Sequence, residues 1–471
     1  MSAQATASRH EAKRRLELQA GSVLAALTAE PDRRRIVRLE TYVDDLDPLA
    51  WLRAQPAAKR VYWADREGAF AVAGVGAASE YRGEGPPDYA RLFADLRADL
   101  SPAHPSLRYY GGMRFSANAP HDDRWRPFGA YYFSIPKYEA GRKGNRCYLA
   151  CNTVVERGAC PEDEVEETLE FFDGLVFPDG AGQPIFPTVQ SRTDRPDANA
   201  WHAAVERLLD DFREGTLEKA VLARESLLEC DAPVDPVDFL RRLSAAIPYS
   251  FQFCFQASPG PAFVGASPER LYKRVNTYLQ GEAIAGTRKR GATPLEDAVL
   301  ADELLHSDKE RREHRFVADR INAIFSEYCR ASRGGDRAEL LALRPVQHLV
   351  TRMEGMLWEP DSDARLLPAF HPTPAVGGCP REAALDAIAS LEPFDRGWFA
   401  GPVGWVGFDS TEFAVAIRSA LVADHSISVY AGAGIVAGSK PADEWDELDN
   451  KLAGLLGLFD TDGLVDRNNE R

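Results

Sequence analysis

Cysteine is scarce in this chain and no two of its cysteines are paired by spacing: Cys147, Cys151, Cys160, Cys230, Cys254, Cys329 and Cys379 lie scattered through 471 residues without a CxxC. A structural zinc site needs clustered thiolates or imidazoles and a disulfide scaffold needs an even framework, so reduced thiols of a cytoplasmic protein are expected. Long apolar runs are missing too: no stretch reaches the ~18 residues of a membrane span, and the opening MSAQATASRHEAKRRLELQA has no apolar signal segment. The expectation is no membrane partner and a loose N-terminus over residues 1–20. Positive charge is in deficit, 56 Lys and Arg against 72 Asp and Glu, for a net charge of −16. A polyanion would meet a repulsive field over most of this surface, which excludes nucleic acid as a general partner. An anionic substrate would need a local cluster of Lys, Arg or metal. Also absent are the Gly-x-Ser-x-Gly elbow, HExxH, the GxxxxGK[ST] phosphate loop and any repeat at a fixed period.

What is present is ordinary for a large globular protein, 45% hydrophobic and 10% aromatic. From about Arg34 to Thr188, short β-branched or aromatic runs (RIVRLETYV, RVYWA, AFAVAGVG, AYYFSI, RCYLACNTVV) alternate with turns and one helical pattern, YARLFADLRADL. After the polar SRTDRPDANA, an amphipathic helix is predicted from Trp201, with Asn199 as its N-cap and Gly215 at its end. The division expected is a variable N-terminal α/β portion over 1–195, a second portion over 196–460 and a tail over 461–471. Further on come the strands KAVLARESLL, YSFQFCFQA, GPVGWVGF, EFAVAIRSALV and SISVYAGAG, with helices over about Thr293–Arg330, Pro380–Leu391 and Ala442–Leu458. Consecutive strands broken by helices predict an α+β fold with antiparallel sheets.

Two helices carry unusual acid. In ADELLHSDKERREHRFVADRINAIF the apolar stripe Val317, Ile321, Ile324 and Phe325 continues backward by four to Glu313, and Glu310 shares that face. In SKPADEWDELDNK the stripe is Trp445, Leu448, Leu452 and Leu455, with Glu444, Glu447 and Lys451 along its edge. Taken alone, each helix reads as a solvated acidic face, with Lys451 bridging Glu447 at i,i+4. Were the two faces to meet, four carboxylates would need a cation, and an all-oxygen donor set favours Mg²⁺. Sequence periodicity leaves that meeting open. Two glycine-rich stretches stand out as well. GEAIAGTRKRG, Gly281 to Gly291, reads as a loop whose N–H groups face an anion, or as a plain basic turn. GAGIVA matches a dinucleotide fingerprint but lacks a following helix, so it reads as a strand end approached by a ligand. Lys219 and Glu269 are surface charges taken singly, or a base and an acid if they face each other.

In this order, LEKAVLAR, GASPERL, GEAIAGTRKRG, SDKERREH, HPTPAVGG, GPVGW, EFAVAIRSA and YAGAGIVAGSKPADEWDE resemble the motifs of the chorismate-utilising enzymes, and among them the isochorismate synthases most. The resemblance covers about residues 200–458 and extends more weakly into the first half through RYYGGMRF, Trp125, Phe128 and FSIPK. It implies two large antiparallel sheets with helices outside, chorismate as substrate and Mg²⁺ as cofactor. It also implies roles: Lys219 as the base activating water for attack at C2, and Glu269 as the acid protonating the departing C4 hydroxyl. Glu313 and Glu447, with Glu310 and Glu444 beside them, would bind the metal, while Asp443, Asp446 and Asp449 face solvent. Arg418, Gly432, Gly434 and Phe399 would hold one substrate carboxylate, Gly286, Thr287 and Lys451 would surround the metal-bound one, and His348 would line the cavity.

Ala285 stands where aminodeoxychorismate-forming relatives place lysine, and Ala375 where pyruvate-expelling relatives carry threonine, so the resemblance implies isochorismate as product. Phe399 replaces a frequent tyrosine, and FDSTEF is a shortened turn. The alternative within the family is a salicylate synthase. The alternative of another class is a non-catalytic acidic metal-binding or scaffold protein. A monomer is expected, and the downstream use, quinone, siderophore or salicylate, is open.

Overall fold

A computed structural model of the chain describes residues 3–27, 34–56, 59–117, 122–178, 186–335, 337–342, 346–360, 362–459 and 465–466. Within them the strands form two sheets of 13 and 10 strands. All pairings are antiparallel except the short Val465–Asp466, which runs parallel to Ser191–Arg192. This is the α+β architecture the sequence predicts. Strands from both sides of residue 195 enter each sheet: Arg60–Ala64 pairs with Phe251–Gln256, and Arg108–Met113 pairs with Pro402–Gly407. Their near-continuous apolar runs are those of strands buried on both faces. An aromatic cluster of Trp125, Phe128, Phe255, Phe263 and Trp398 fills the core, with ring centroids 5.2–6.2 Å apart.

The two acidic helices pack on strands that carry other site residues. Asp308–Tyr328 lies on the strand Tyr278–Lys289, with Val317, Ile321, Ile324 and Phe325 buried. Pro441–Leu456 opens on a proline and lies on Ser426–Val436, burying Leu448, Leu452 and Leu455.

Local structure departs from the sequence reading in five places. The helix foreseen over Thr293–Arg330 is two, Pro294–His306 and Asp308–Tyr328, because the extended Ser307 turns its hydroxyl to accept from the Glu310 N–H at 3.4 Å and starts the second. The run EFAVAIRSALV is two strands, Ser410–Val415 in one sheet and Ser419–Ala423 in the other, broken at Arg418 with φ 52°. The helix Ala198–Arg213 is capped by Asp197, which accepts from Ala200 N at 2.8 Å, and not by Asn199, which lies inside the first turn; Gly215 follows its end at φ 74°. GEAIAGT is strand and not loop, with a bulge between Ala285 and Thr287 at Gly286. The N-terminal segment is a helix, Ala3–Leu27, whose Ala12, Leu16 and Ala20 are buried at i,i+4 spacing, a narrow stripe hidden among charges. Residues 1 and 2, and the expected tail apart from Val465–Asp466, lie outside the described residues.

Candidate functional site

Lys219 opens the strand Lys219–Cys230, paired through Val436 on one side and Cys379 on the other. Its side chain is buried and runs over Gly434: a Cβ built there would lie 3.2 Å from Lys219 Cε, 3.5 Å from Nζ and 3.5 Å from Glu313 Oε2. A methyl there would press on the Lys219 chain and touch the Glu313 carboxylate, so glycine leaves both their present positions undisturbed. Burial lowers the Lys219 pKa; Glu313, Glu269 and Glu447 oppose the shift and Lys451 adds to it. Glu269, at the corner between the strands Ala262–Ser267 and Arg270–Val275, is shifted the other way. Burial first and Glu282 second push its carboxyl up to about 8, with Lys219 opposing. A buried amine tending to neutrality and a buried acid tending to keep its proton thus act on each other.

The two acidic helices do meet. Lys309 Nζ donates to Glu444 Oε1 at 3.0 Å, crossing from one helix to the other, and Glu447 lies close enough to raise Glu313. Burial is the main cause of the raised Glu313 pKa, opposed by Lys219 and Lys309 and reinforced by Glu310 and Glu447. Burial alone would raise Glu447 as well, but the Lys451 ammonium, 2.6 Å away, holds that carboxyl below its usual range, helped by Lys309. Glu310 accepts from Arg288 at 2.8 Å. Asp443 and Asp446 are exposed as expected. Asp449 is not given over to solvent: it pairs with Arg192 at 3.2 Å and with the buried Arg224.

Of the remaining foreseen residues, Lys451, Gly432, Gly286 and His348 are linked to this cluster by direct contacts. Lys451 Nζ also donates to Gly432 O at 2.8 Å. Gly286, at φ 77°, turns its backbone under Glu310, and its carbonyl lies 3.3 Å from His348 Nδ1. Burial holds the His348 pKa down to about 4, with Arg418 adding to the effect, so the ring is neutral near pH 7. Thr287 pairs its backbone with His348, while its side chain lies outside the described residues. Among the described residues the Arg418 guanidinium has no hydrogen bond or ion pair, and its desolvation lowers its pKa. Phe399 stacks on Tyr430 with centroids 5.1 Å apart. Ala375 is half-buried against the core.

Sequence reasoning passed over three groups. Lys309 lies one residue from Glu310, and its i,i+4 relation to Glu313 was the available signal. His314 is buried on Thr351 Oγ1 at 2.7 Å, with its pKa held down to about 4 by burial. Glu282 is joined to Arg66 of the first half, which no local pattern connects.

A hard divalent cation fits the chemistry of these donors. They are carboxylate oxygens, they repel one another, and Glu444 Oε2 is buried without a hydrogen-bond partner. Among the described residues no three ligating side chains converge on one point, and Lys309, Lys451 and Arg288 hold carboxylate oxygens of Glu444, Glu447 and Glu310.

Residues 22–459 match the family model described as "Chorismate binding enzyme". The chain is 35% identical over 390 residues to isochorismate synthase 2, chloroplastic, of Arabidopsis thaliana, covering 81% of this chain and 69% of the relative. It is 30% identical over 444 residues to isochorismate synthase MenF of Bacillus subtilis, covering 90% and 93%. Among solved structures, MenF, the menaquinone-specific isochorismate synthase from Escherichia coli, superposes with a TM-score of 0.82 at 29% identity, covering 94% of this chain and all of that one.

Proposed function

The chain belongs to the chorismate binding enzyme family, and we propose that within it this protein is an isochorismate synthase, converting chorismate to isochorismate. The observation that carries the reading is the opposed titration of two buried groups that act on each other, Lys219 held towards its neutral form and Glu269 held protonated to about pH 8. Neutral Lys219 takes a proton from water as its oxygen bonds to C2 of the ring. The C1–C2 and C5–C6 double bonds each move one place, and the C4–O bond breaks. Glu269 gives its proton to the departing hydroxyl, which leaves as water. One water enters and one leaves, so the product is an isomer, and the proton gained by Lys219 and lost by Glu269 returns through solvent.

The substrate is a dianion in a protein of net charge −16, so its carboxylates need local cations. Arg418, unpartnered among the described residues, would take one of them in its guanidinium fork. Glu313 and Glu447, with Glu310 and Glu444, would hold Mg²⁺ in place of the present ammonium contacts. When bound, Mg²⁺ supplies positive charge that neutralises the second substrate carboxylate and fixes the ring. His348, neutral, lines the cavity without adding charge. Cytoplasmic location and a monomeric state belong to the same proposal.

Ala375 and Ala285 support isochorismate as the end product. The test is incubation of pure protein with chorismate and Mg²⁺ and chromatography of the products. Isochorismate alone is expected; salicylate with stoichiometric pyruvate would replace this reading by salicylate synthase, and unchanged chorismate would remove the catalytic reading.

A further inference from the structure

The corner that carries Glu269 passes from one sheet to the other; the Glu269 carbonyl accepts from Val415 N–H at 3.1 Å and its N–H donates to Ser267 Oγ at 3.2 Å, while the peptide groups of its two neighbours lie outside that pairing. The peptide groups on both sides of Glu269 are instead held from outside. Arg66 Nη1 donates to the carbonyl of Pro268, the residue before, at 2.8 Å. Glu282 Oε1 accepts from the N–H of Arg270, the residue after, at 3.0 Å. Arg66 and Glu282 are themselves joined fork to fork, Nη1 to Oε1 and Nη2 to Oε2, the second contact at 2.8 Å. Both side chains are only 5% exposed. Arg66 comes from the turn between the strands Arg60–Ala64 and Phe70–Val75, and its guanidinium lies over the Tyr249 and Phe251 rings at 5.4 Å each.

A buried ion pair recovers little net stability after desolvation, so stability alone explains this one poorly. Its geometry does something else: a planar bidentate pair leaves neither partner free to turn, and both partners anchor the main chain at one corner.

We propose that Arg66 and Glu282 are positioning residues for Glu269, fixing the backbone on either side of it and holding a carboxylate charge beside it. The charged groups that act on Glu269 are Glu282, from Tyr278–Lys289, and Lys219, from the neighbouring sheet, and after burial Glu282 is the largest cause of the raised carboxyl pKa. The inference rests on the reading of Glu269 as the proton donor. It also gives the first half of the chain a part in placing the proposed acid.

Glu282→Gln keeps the shape and an acceptor for Arg270 N–H but removes the charge, and Arg66→Lys keeps a charge but removes the fork. With chorismate and Mg²⁺, each is expected to lower kcat about tenfold at pH 8 with KM changed less than about twofold. The alkaline limb of kcat for Glu282→Gln should move about one unit to lower pH. The double variant should be no slower than the poorer single one, as for groups acting as a unit. Isotope-edited infrared titration, differenced against Glu269→Gln, reads the Glu269 carboxyl without turnover, and its midpoint should also move down in Glu282→Gln. Wild-type kcat, limb and midpoint in Glu282→Gln would overturn the inference while leaving chorismate turnover intact. A wild-type protein inert towards chorismate, but with the midpoint moved, would overturn the proposed activity and sustain the coupling of the pair to Glu269. Should Arg66→Lys fail to fold, Glu282→Gln carries the test alone.

Discussion

Two buried side chains of opposite type, Lys219 and Glu269, each lean towards the uncharged form, and in the proposed roles of base and acid they would set the pH dependence of the reaction. On those proposed roles the working state has the lysine deprotonated and the glutamate protonated, so kcat/KM should rise with pH while Lys219 loses its proton and fall as Glu269 loses its own at about 8. A pH series of initial rates checks both limbs, and a rate that keeps climbing beyond pH 9 would remove Glu269 as the acid. Lys219→Ala and Glu269→Gln should each cost roughly 10²–10⁴ in kcat, the range of general acid–base assistance. The loss should exceed any fall in thermal midpoint, since removing a buried ionisable group relieves desolvation. Two neutral histidines, His314 and His348, with pKa values held near 4, add no proton chemistry between pH 6 and 9.

At the scale of elements, the glycines of the site are held by different constraints and should respond differently to a methyl group. Gly286 sits at φ 77° with Glu310 Oε2 3.0 Å from a built Cβ, so Gly286→Ala should lose about 1–2 kcal/mol of stability together with activity. Gly434 has no such backbone requirement; its constraint is the Lys219 chain 3.2 Å away. Gly434→Ala should therefore keep its denaturation midpoint near wild type and lose turnover, a contrast readable by calorimetry beside a rate assay. The helix Ala198–Arg213 gives a purely structural check: Asp197→Ala should cost about 1 kcal/mol through its cap, and Asn199→Ala close to nothing. Equal effects in chemical denaturation would return the cap to Asn199. Serine, aspartate and asparagine all suit a helix start, so composition did not choose between neighbouring candidates, whereas the Ser307 break was readable only once its hydroxyl had found the Glu310 N–H.

Over the whole molecule the dominant quantity is negative charge, −16 in total, and carboxylates of two helices come together through Lys309 and Glu444. Lys309, Lys451 and Arg288 offset part of it by direct contact. A divalent cation that binds the folded state alone stabilises it by mass action, about 2.7 kcal/mol at one hundred times its Kd. Millimolar Mg²⁺ should therefore raise the thermal midpoint of the wild type, and Glu313→Gln and Glu447→Gln should abolish most of that rise. An equal rise in all three proteins would place the ion elsewhere. The sheets carry a second global property, since each takes strands from both halves of the chain. The first half thereby brings Arg66 beneath the corner of the proposed acid.

The sequence by itself determined the α+β class and the order of the motifs, and it offered the candidate site residues, because period, charge and short motifs are local properties. Glu310 with Glu313 and Glu444 with Glu447 share helix faces by spacing alone, and Lys451 reaches Glu447 by the same rule. Only the tertiary structure decided that the two faces meet through Lys309 and Glu444, 135 positions apart, and that Arg66 clasps Glu282 across 216. Such contacts follow from how sheets close over one another, which no spacing along the chain encodes, and they set the electrostatics on which the proposed chemistry depends.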